Sequence, residues 1–133
     1  MKQLEQGLTA RLEMTVGDSD LACVHGSGSL PVYATPAMVA FMEKTACALL
    51  APYMEDGETT VGIDMAVKHL KATVKGRRVV CTARLVEQDG RKTVFDIEAK
   101  EEDAVTIGKA RHERFCVLAE PFMQKAAAAV VAR

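Results

Sequence analysis

The sequence lacks an excess of charge of either sign, since 17 lysines and arginines nearly balance 18 aspartates and glutamates. Such a surface produces no strong field to hold a nucleic-acid backbone or an anionic membrane. No apolar run approaches the roughly 20 residues that cross a bilayer, and the first seven residues are too polar for the apolar part of a signal peptide. We therefore expect a cytoplasmic protein with no nucleic-acid or membrane partner.

The sequence also lacks the cysteine spacing of a metal site or a disulfide framework. Its cysteines form no Cys-x-x-Cys pair, and the proximity of Cys23 to His25 is too little for a zinc site. We expect the four cysteines to be reduced and mostly buried: Cys23, Cys47, Cys81 and Cys116. No internal repeat is visible, so the 133 residues are expected to form a single domain, residues 1–133.

Alternating apolar and polar residues predict several strands. Residues 8–16 alternate cleanly, and from Val61 to Val67 the odd positions are apolar, which places position 69 on the same face. Asp89-Gly90 is a strong hairpin signal. Further strands are predicted over residues 78–87, 92–100 and 104–118. The alanine-rich tail, residues 121–133, is compatible with a short helix or a frayed end.

One helix is predicted from Pro36 to about Leu50, with Thr35 as its N-cap. Its apolar residues spread around nearly the whole circumference, which is typical of a buried helix. The order of one strand, one buried helix and four further strands predicts an α+β domain in which an antiparallel sheet wraps the helix. This arrangement is the hotdog fold, and its core is expected at about residues 8–118. Because such a sheet leaves open edges, we expect a homodimer or a higher homo-oligomer.

Two polar residues in apolar surroundings are candidates for chemistry. Glu43 is either a catalytic base or nucleophile, or part of a solvent-facing stripe with Lys44. His69 is either a proton shuttle on the helix-facing side of its strand or a core histidine bonded to a backbone carbonyl. From these residues alone, neither alternative can be chosen.

The start of the helix and the other histidines carry weaker signals. Thr35 is most simply a helix cap, while the backbone N–H groups of Ala37 and Met38 are candidates to stabilise negative charge that develops on a bound carbonyl oxygen. His25, in a glycine-rich loop, is expected at the surface. The mixed charges of residues 112–114 are typical of an exposed group, although Arg114 shares the parity of apolar strand positions and could face inward.

A set of residues is spaced as in a known enzyme family: Pro31-Val32-Tyr33-Ala34-Thr35, then Glu43, Gly62 and His69. Together they resemble the pattern of the fluoroacetyl-CoA thioesterase family of hotdog enzymes. The similarity continues through Asp89-Gly90-Arg91, residues 95–99 (Phe-Asp-Ile-Glu-Ala) and residues 112–115 (His-Glu-Arg-Phe). It therefore covers about residues 8–118.

The resemblance implies a thioester hydrolase that converts a small acyl-CoA to the free acid and CoA, with no cofactor other than the CoA of the substrate. It implies that Thr35, Glu43 and His69 are catalytic, that Gly62 lines the site, and that Arg114 matches the family's arginine. Residues 25–30 depart from the pattern, because small residues stand where the fluoroacetyl-specific enzyme has phenylalanines. The resemblance therefore does not extend to the choice of acyl group.

Other functions fit the same residues. Hydration or dehydration of acyl-CoA occurs on the same fold with a different arrangement of acid and histidine. A non-catalytic module would hold an acyl-CoA or another small ligand without cleaving it. A structural dimerisation domain would need Glu43 and His69 to be exposed or mutually satisfied, with no adjacent cavity. The sequence also leaves open whether Glu43 is a nucleophile or a general base.

Overall fold

The computed structural model describes residues 1–129, in which a five-stranded antiparallel sheet wraps one long helix. The strands are β1 (Thr9–Thr15), β2 (Glu58–His69), β3 (Arg78–Asp89), β4 (Lys92–Glu101) and β5 (Val105–Leu118). The helices are α1 (Ala22–His25), α2 (Thr35–Leu50) and α3 (Ala119–Ala128), with 3-10 turns at Asp18–Asp20 and Ala51–Tyr53. The predicted order of elements is confirmed. The last four residues of the predicted tail lie outside the described residues.

The sheet has the strand order β1-β3-β4-β5-β2, which leaves β1 and β2 at its edges. Strands β3, β4 and β5 follow one another as neighbours, as short turns require. The predicted hairpin joins β3 to β4, but Asp89 pairs with Lys92, so the two turn residues are Gly90 and Arg91. Gly90 has a φ of 60°, a left-handed conformation that glycine adopts without strain.

The core lies between α2 and the helix-facing side of the sheet. Its fully buried side chains include Met38, Met42 and Leu50 of α2, Leu85 of β3, Phe95 of β4 and Ile107 of β5. The opposite side of α2 is exposed at Pro36, Ala40 and Lys44, because one sheet covers only one side of a helix. The composition of α2 predicted a helix that is buried on every side, and the structure shows that one side is exposed. Within residues 1–129, no helix is long and apolar enough to cross a membrane.

Strand β2 contains a bulge that changes which side chains face the helix. The pairing with β5 shifts register between Gly62 and Asp64, and the extra residue, Ile63, is 51% exposed. Before the bulge an even position, Gly62, faces α2; after it an odd position, His69, does so. The prediction that Ile63 faces the helix is therefore wrong, because a bulge inserts one residue and reverses the alternation.

The start of α2 differs from the prediction in its capping. Ala34, not Thr35, is the N-cap residue, and Thr35 is the first helical residue with Pro36 after it. No side-chain hydrogen bond caps the helix. Ala34 has the extended conformation of an N-cap residue (φ −74°, ψ 140°) and its carbonyl accepts the first helical hydrogen bond. The hydroxyl of Thr35 is therefore left for another partner.

All four cysteines are free, as predicted. Cys81 and Cys116 are buried, Cys47 is half-buried and Cys23 is exposed, so the expected burial holds for two of them. Residues 1–129 contain no group of three His, Cys, Asp or Glu side chains that could hold a metal ion.

Candidate active site

Thr35 and His69 meet where the start of α2 approaches the end of β2. The hydroxyl oxygen of Thr35 lies 2.8 Å from Nδ1 of His69, within hydrogen-bond distance. The ring of Tyr33 packs edge-on against the imidazole, with centroids 6.4 Å apart and an interplanar angle of 83°. Nε2 of His69 is buried and has no hydrogen-bond partner among residues 1–129. The contacts thus orient the imidazole while leaving one ring nitrogen available.

The surroundings of His69 favour its neutral form. Burial lowers the pKa of the imidazole, because a charged ring loses hydration; the backbone of Lys71 partly offsets this shift, although no hydrogen bond to Nε2 forms. A neutral imidazole has one donor and one acceptor nitrogen. His69 can therefore take up or deliver a proton near neutral pH.

This pair lines a cavity of about 280 Å³. Its other lining residues are mostly small or apolar: Ala22, Ser27, Val32, Tyr33, Leu70, Lys71 and Ala72. Of the two amides expected to stabilise negative charge, that of Ala37 makes no hydrogen bond within residues 1–129. The amide of Met38 donates to the carbonyl of Ala34 at 3.0 Å, which is the first hydrogen bond of the helix, so it already has a partner.

A second polar group forms around Glu43. Arg114 is buried and donates from Nε to the hydroxyl of Thr60 (2.9 Å) and from Nη2 to the Thr60 carbonyl (3.0 Å). Its Nη1 lies 3.3 Å from Oε2 of Glu43. The carboxylate side chain is 41% exposed and lines a further cavity of about 340 Å³ with Gly62, Ile63, Asp64, Met65 and His112. Glu43 is thus ion-paired to a buried arginine and open to solvent.

Gly62 allows this carboxylate to approach the strand. A Cβ atom at position 62 would lie 2.8 Å from Oε2 of Glu43 and 3.3 Å from both Nη1 of Arg114 and Cε1 of His112. The first distance is shorter than real side chains adopt, so a larger residue would displace the carboxylate. Gly62 therefore lies in the second group, as the pattern of the sequence indicated.

The exposure predicted for residues 112–114 is wrong for His112, which is 1% exposed, whereas the inward orientation of Arg114 is confirmed. The charge of Arg114 is tolerated inside because Glu43 and Thr60 accept hydrogen bonds from it, and the carbonyl of Asp64 accepts one from His112. Positions 110, 112, 114 and 116 are all buried. Extending the alternation of buried and exposed positions back from Cys116 would have predicted that the side chains of Arg114 and His112 are both buried.

The two groups do not meet within one chain. Thr35 and Glu43 are eight residues apart on α2, which is about 12 Å along a helix axis. Thr35 contacts His69, and Glu43 contacts Arg114, but no hydrogen bond joins one group to the other within residues 1–129. A single copy therefore carries two separate parts of the predicted site.

The model of the fluoroacetyl-CoA-specific thioesterase family matches residues 16–120, which include both groups. The chain belongs to this family. A relative, the fluoroacetyl-CoA thioesterase of Streptantibioticus cattleyicolor, is 38% identical over 95 residues, which are 71% of this chain and 67% of the relative. As a member of the fluoroacetyl-CoA-specific thioesterase family, the protein is a thioester hydrolase.

Solved structures of this thioesterase family have the same fold. The structure of the fluoroacetyl-CoA thioesterase FlK has a TM-score of 0.90 at 27% identity, covering 98% of this chain and 100% of FlK. A FlK variant in complex with acetyl-CoA has a TM-score of 0.88 at 28% identity, covering 93% and 97% of the two chains. The predicted hotdog fold and the resemblance to this family are confirmed.

Proposed function

We propose that this protein hydrolyses a small acyl-CoA thioester to the free acid and CoA, with Thr35, Glu43 and His69 at the reacting carbonyl. The contact between Thr35 and His69 carries the proposal. It orients a neutral imidazole at the edge of a cavity and leaves its second nitrogen without a partner. A binding module has no need of such a nitrogen, and its burial without a partner is unfavourable. The acetyl-CoA complex of a FlK variant supports a CoA ester as substrate.

The proposed chemistry follows from what each group can donate or accept. Glu43 either takes a proton from water, whose oxygen adds to the carbonyl carbon, or adds to that carbon itself to form an anhydride that water then cleaves. The C–S bond breaks, and His69 relays to the departing thiolate the proton that the water loses, so that the imidazole is neutral again at the end of the cycle. Thr35 holds the imidazole, and the free amide of Ala37 stabilises the developing oxyanion.

We further propose that a complete site needs two copies of the chain. Reacting groups act within about 3–3.5 Å of one another, which the separation along α2 prevents within one copy. Strand β2 is an edge strand and carries both Gly62 and His69. Across a two-fold axis, residue i of one copy faces residue j of the other and the reverse. A homodimer would then bring Glu43 of each copy to His69 of its partner and form two sites.

Gly62 and Arg114 are proposed to contact the substrate beside Glu43, because Gly62 lines the cavity there and Nη1 of Arg114 contacts the carboxylate. The cavity beside Thr35 and His69 is proposed to hold the acyl chain. Its lining residues Ala22, Ser27 and Ala72 are small. This composition favours acyl groups that are larger than fluoroacetyl. The alternative, a non-catalytic acyl-CoA binding module, would use the same cavity without hydrolysis.

The test is the release of free thiol from a panel of short, branched and aromatic acyl-CoA esters. We expect Glu43→Gln and His69→Gln each to reduce kcat/KM by roughly a hundredfold or more, the contribution typical of general acid–base catalysis. Lys44→Gln is the matched control, because Lys44 is exposed next to Glu43 and lies in neither group. Full activity of Glu43→Gln would overturn the site, and intact ester bound without thiol release would establish the binding module.

A further inference from the structure

His112 of β5 is the buried polar side chain of the second group whose role the proposed chemistry leaves open. Its Nδ1 lies 2.7 Å from the carbonyl oxygen of Asp64, and its Nε2 lies 3.1 Å from Nη1 of Arg114. A carbonyl oxygen only accepts, and a guanidinium only donates. Nδ1 must therefore carry the hydrogen while Nε2 accepts, which defines the neutral Nδ1–H tautomer.

We propose that His112 is a positioning residue for the hydrolysis: its Nε2 accepts one hydrogen of Nη1 of Arg114 and so directs the other at Glu43. This inference rests on the proposed function of Glu43. The guanidinium is planar, and Thr60 already holds its Nε and Nη2. The contact with His112 completes the set that fixes its plane. Nη1 then has one remaining hydrogen, and Oε2 of Glu43 lies 3.3 Å from Nη1.

His112 acts on the carboxylate through the arginine and not directly. Its Nε2 lies 4.0 Å from Oε2 of Glu43, beyond hydrogen-bond distance. The Asp64 carbonyl that holds its other nitrogen belongs to the residue after the β2 bulge, next to Gly62 in the site. One imidazole therefore fixes both the bulged strand and the guanidinium against which Glu43 rests.

A protonated His112 would break this arrangement, because two donors would then face each other at Nε2 and Nη1. The charged groups around the ring are Arg114 on its own strand, Asp64 on β2 and Glu43 on α2. Burial lowers the pKa of His112 and the charge of Arg114 adds to the shift, while the Asp64 carbonyl and the two carboxylates oppose it. The net direction keeps the ring neutral and able to accept.

Two amide substitutions separate the two hydrogen bonds. The side-chain nitrogen of an asparagine takes about the place of Nδ1, whereas the side-chain oxygen of a glutamine takes about the place of Nε2. His112→Gln therefore preserves the acceptor for Arg114, and His112→Asn preserves the donor to Asp64. Both remove the imidazole and its packing against Phe95, whose ring centroid is 6.3 Å away. The pair is thus matched for loss of the ring.

We expect His112→Asn to reduce kcat/KM by roughly ten- to hundredfold, the loss for one hydrogen bond to a charged group. His112→Gln should stay close to the native value. In an Arg114→Lys background, His112→Asn should add little, because residues that act through each other are not additive. Equal losses in the two amide variants, or losses that add to Arg114→Lys, would overturn the inference.

Two further measurements keep the result interpretable. Long-range proton–nitrogen NMR of the native protein at neutral pH should find the hydrogen of His112 on Nδ1, and a hydrogen on Nε2 would refute the positioning role even if a variant failed to fold. Glu43→Gln, assayed with the same substrates, distinguishes a failure of the proposed function from a failure of this inference alone. If it keeps activity, the proposed function fails and this inference with it; if it loses activity while the two amide variants match, only the inference fails.

Discussion

The hydroxyl oxygen of Thr35 lies 2.8 Å from Nδ1 of His69 and makes no capping bond with the helix that it begins. A threonine at this place in a sequence ordinarily suggests a cap. Here the backbone of Ala34 starts the helix, and the hydroxyl orients an imidazole instead. The side chain therefore contributes more to the site than to the stability of α2.

Replacing Thr35 should separate activity from stability. We expect Thr35→Val, which keeps the shape and removes the hydroxyl, to reduce kcat/KM at least about tenfold, while Thr35→Ser keeps most of it. Because no cap is lost, the free energies of unfolding of the two variants should differ by no more than about 1 kcal/mol, the net contribution of one hydrogen bond. Equal activities, measured with urea unfolding as the control, would contradict this role.

Two glycines that face the helix should respond differently to the same substitution. Gly62→Ala displaces the half-exposed carboxylate of Glu43, so it should reduce kcat at least about tenfold with a small change in stability. Gly108→Ala places a Cβ 2.6 Å from the buried side chain of Met38. It should instead lower the free energy of unfolding by about 1–3 kcal/mol, as overpacking does. Denaturant titration and thiol release distinguish the two; the opposite pattern would refute the placement of Gly62 beside the half-exposed carboxylate of Glu43.

Mixed dimers test whether the site combines two chains. Each of Glu43→Gln and His69→Gln should be inactive alone. If Glu43 of one copy acts with His69 of the other, half of the randomly mixed dimers have one intact site out of two, and about one quarter of the native activity returns. If both residues act within one chain, every site in a mixed dimer is defective. Co-expression with two affinity tags isolates the mixed species, and no recovered activity would exclude the two-chain site.

The half-buried His69 and the buried His112 should make the fold sensitive to mild acid. Burial lowers the pKa of His69 and of His112 below the ordinary value of 6.5, so the unfolded chain binds more protons once the pH falls below that value. The free energy of unfolding should therefore be greatest above about pH 6.5 and decrease between about pH 6.5 and 5. Urea unfolding at the two ends of this window measures the change, and His112→Gln should make it smaller. A flat profile would contradict the burial of neutral imidazoles.

The small residues before α2 should set the size of the acyl group. Ser27 lines the cavity that Thr35 and His69 share. We expect Ser27→Phe to reduce kcat/KM for branched or aromatic acyl-CoA esters roughly tenfold or more relative to acetyl-CoA, because the larger side chain occupies their space. Ser29→Phe, in the same loop but not in the lining, is the control. Unchanged ratios would show that the acyl chain lies elsewhere.

The sequence predicted the order of elements because alternation and turn residues are local signals. The resemblance implied that Gly62 lines the site, and strand parity indicated that Arg114 could face inward; in the structure both lie beside Glu43. The orientation of Ile63 could not be predicted, since a bulge depends on pairing with a strand about 50 residues away. The burial of His112 was missed because charged neighbours suggest a surface. Burial is acceptable because the Asp64 carbonyl accepts a hydrogen bond from Nδ1 of His112 and Nη1 of Arg114 donates one to its Nε2.

Helix α2 also fixes the number of residues that separate Thr35 from Glu43. Thr35 and Glu43 lie on the same rigid helix. Thr35 must reach His69 of strand β2, and Glu43 must reach Gly62 of the same strand. Inserting or deleting one residue between them would rotate Glu43 by about 100° and shift it by about 1.5 Å. The carboxylate would then leave Gly62 and Arg114, whatever residue was added. The exposed positions Pro36 and Ala40 can therefore vary in composition, but the number of residues from Pro36 to Met42 cannot change.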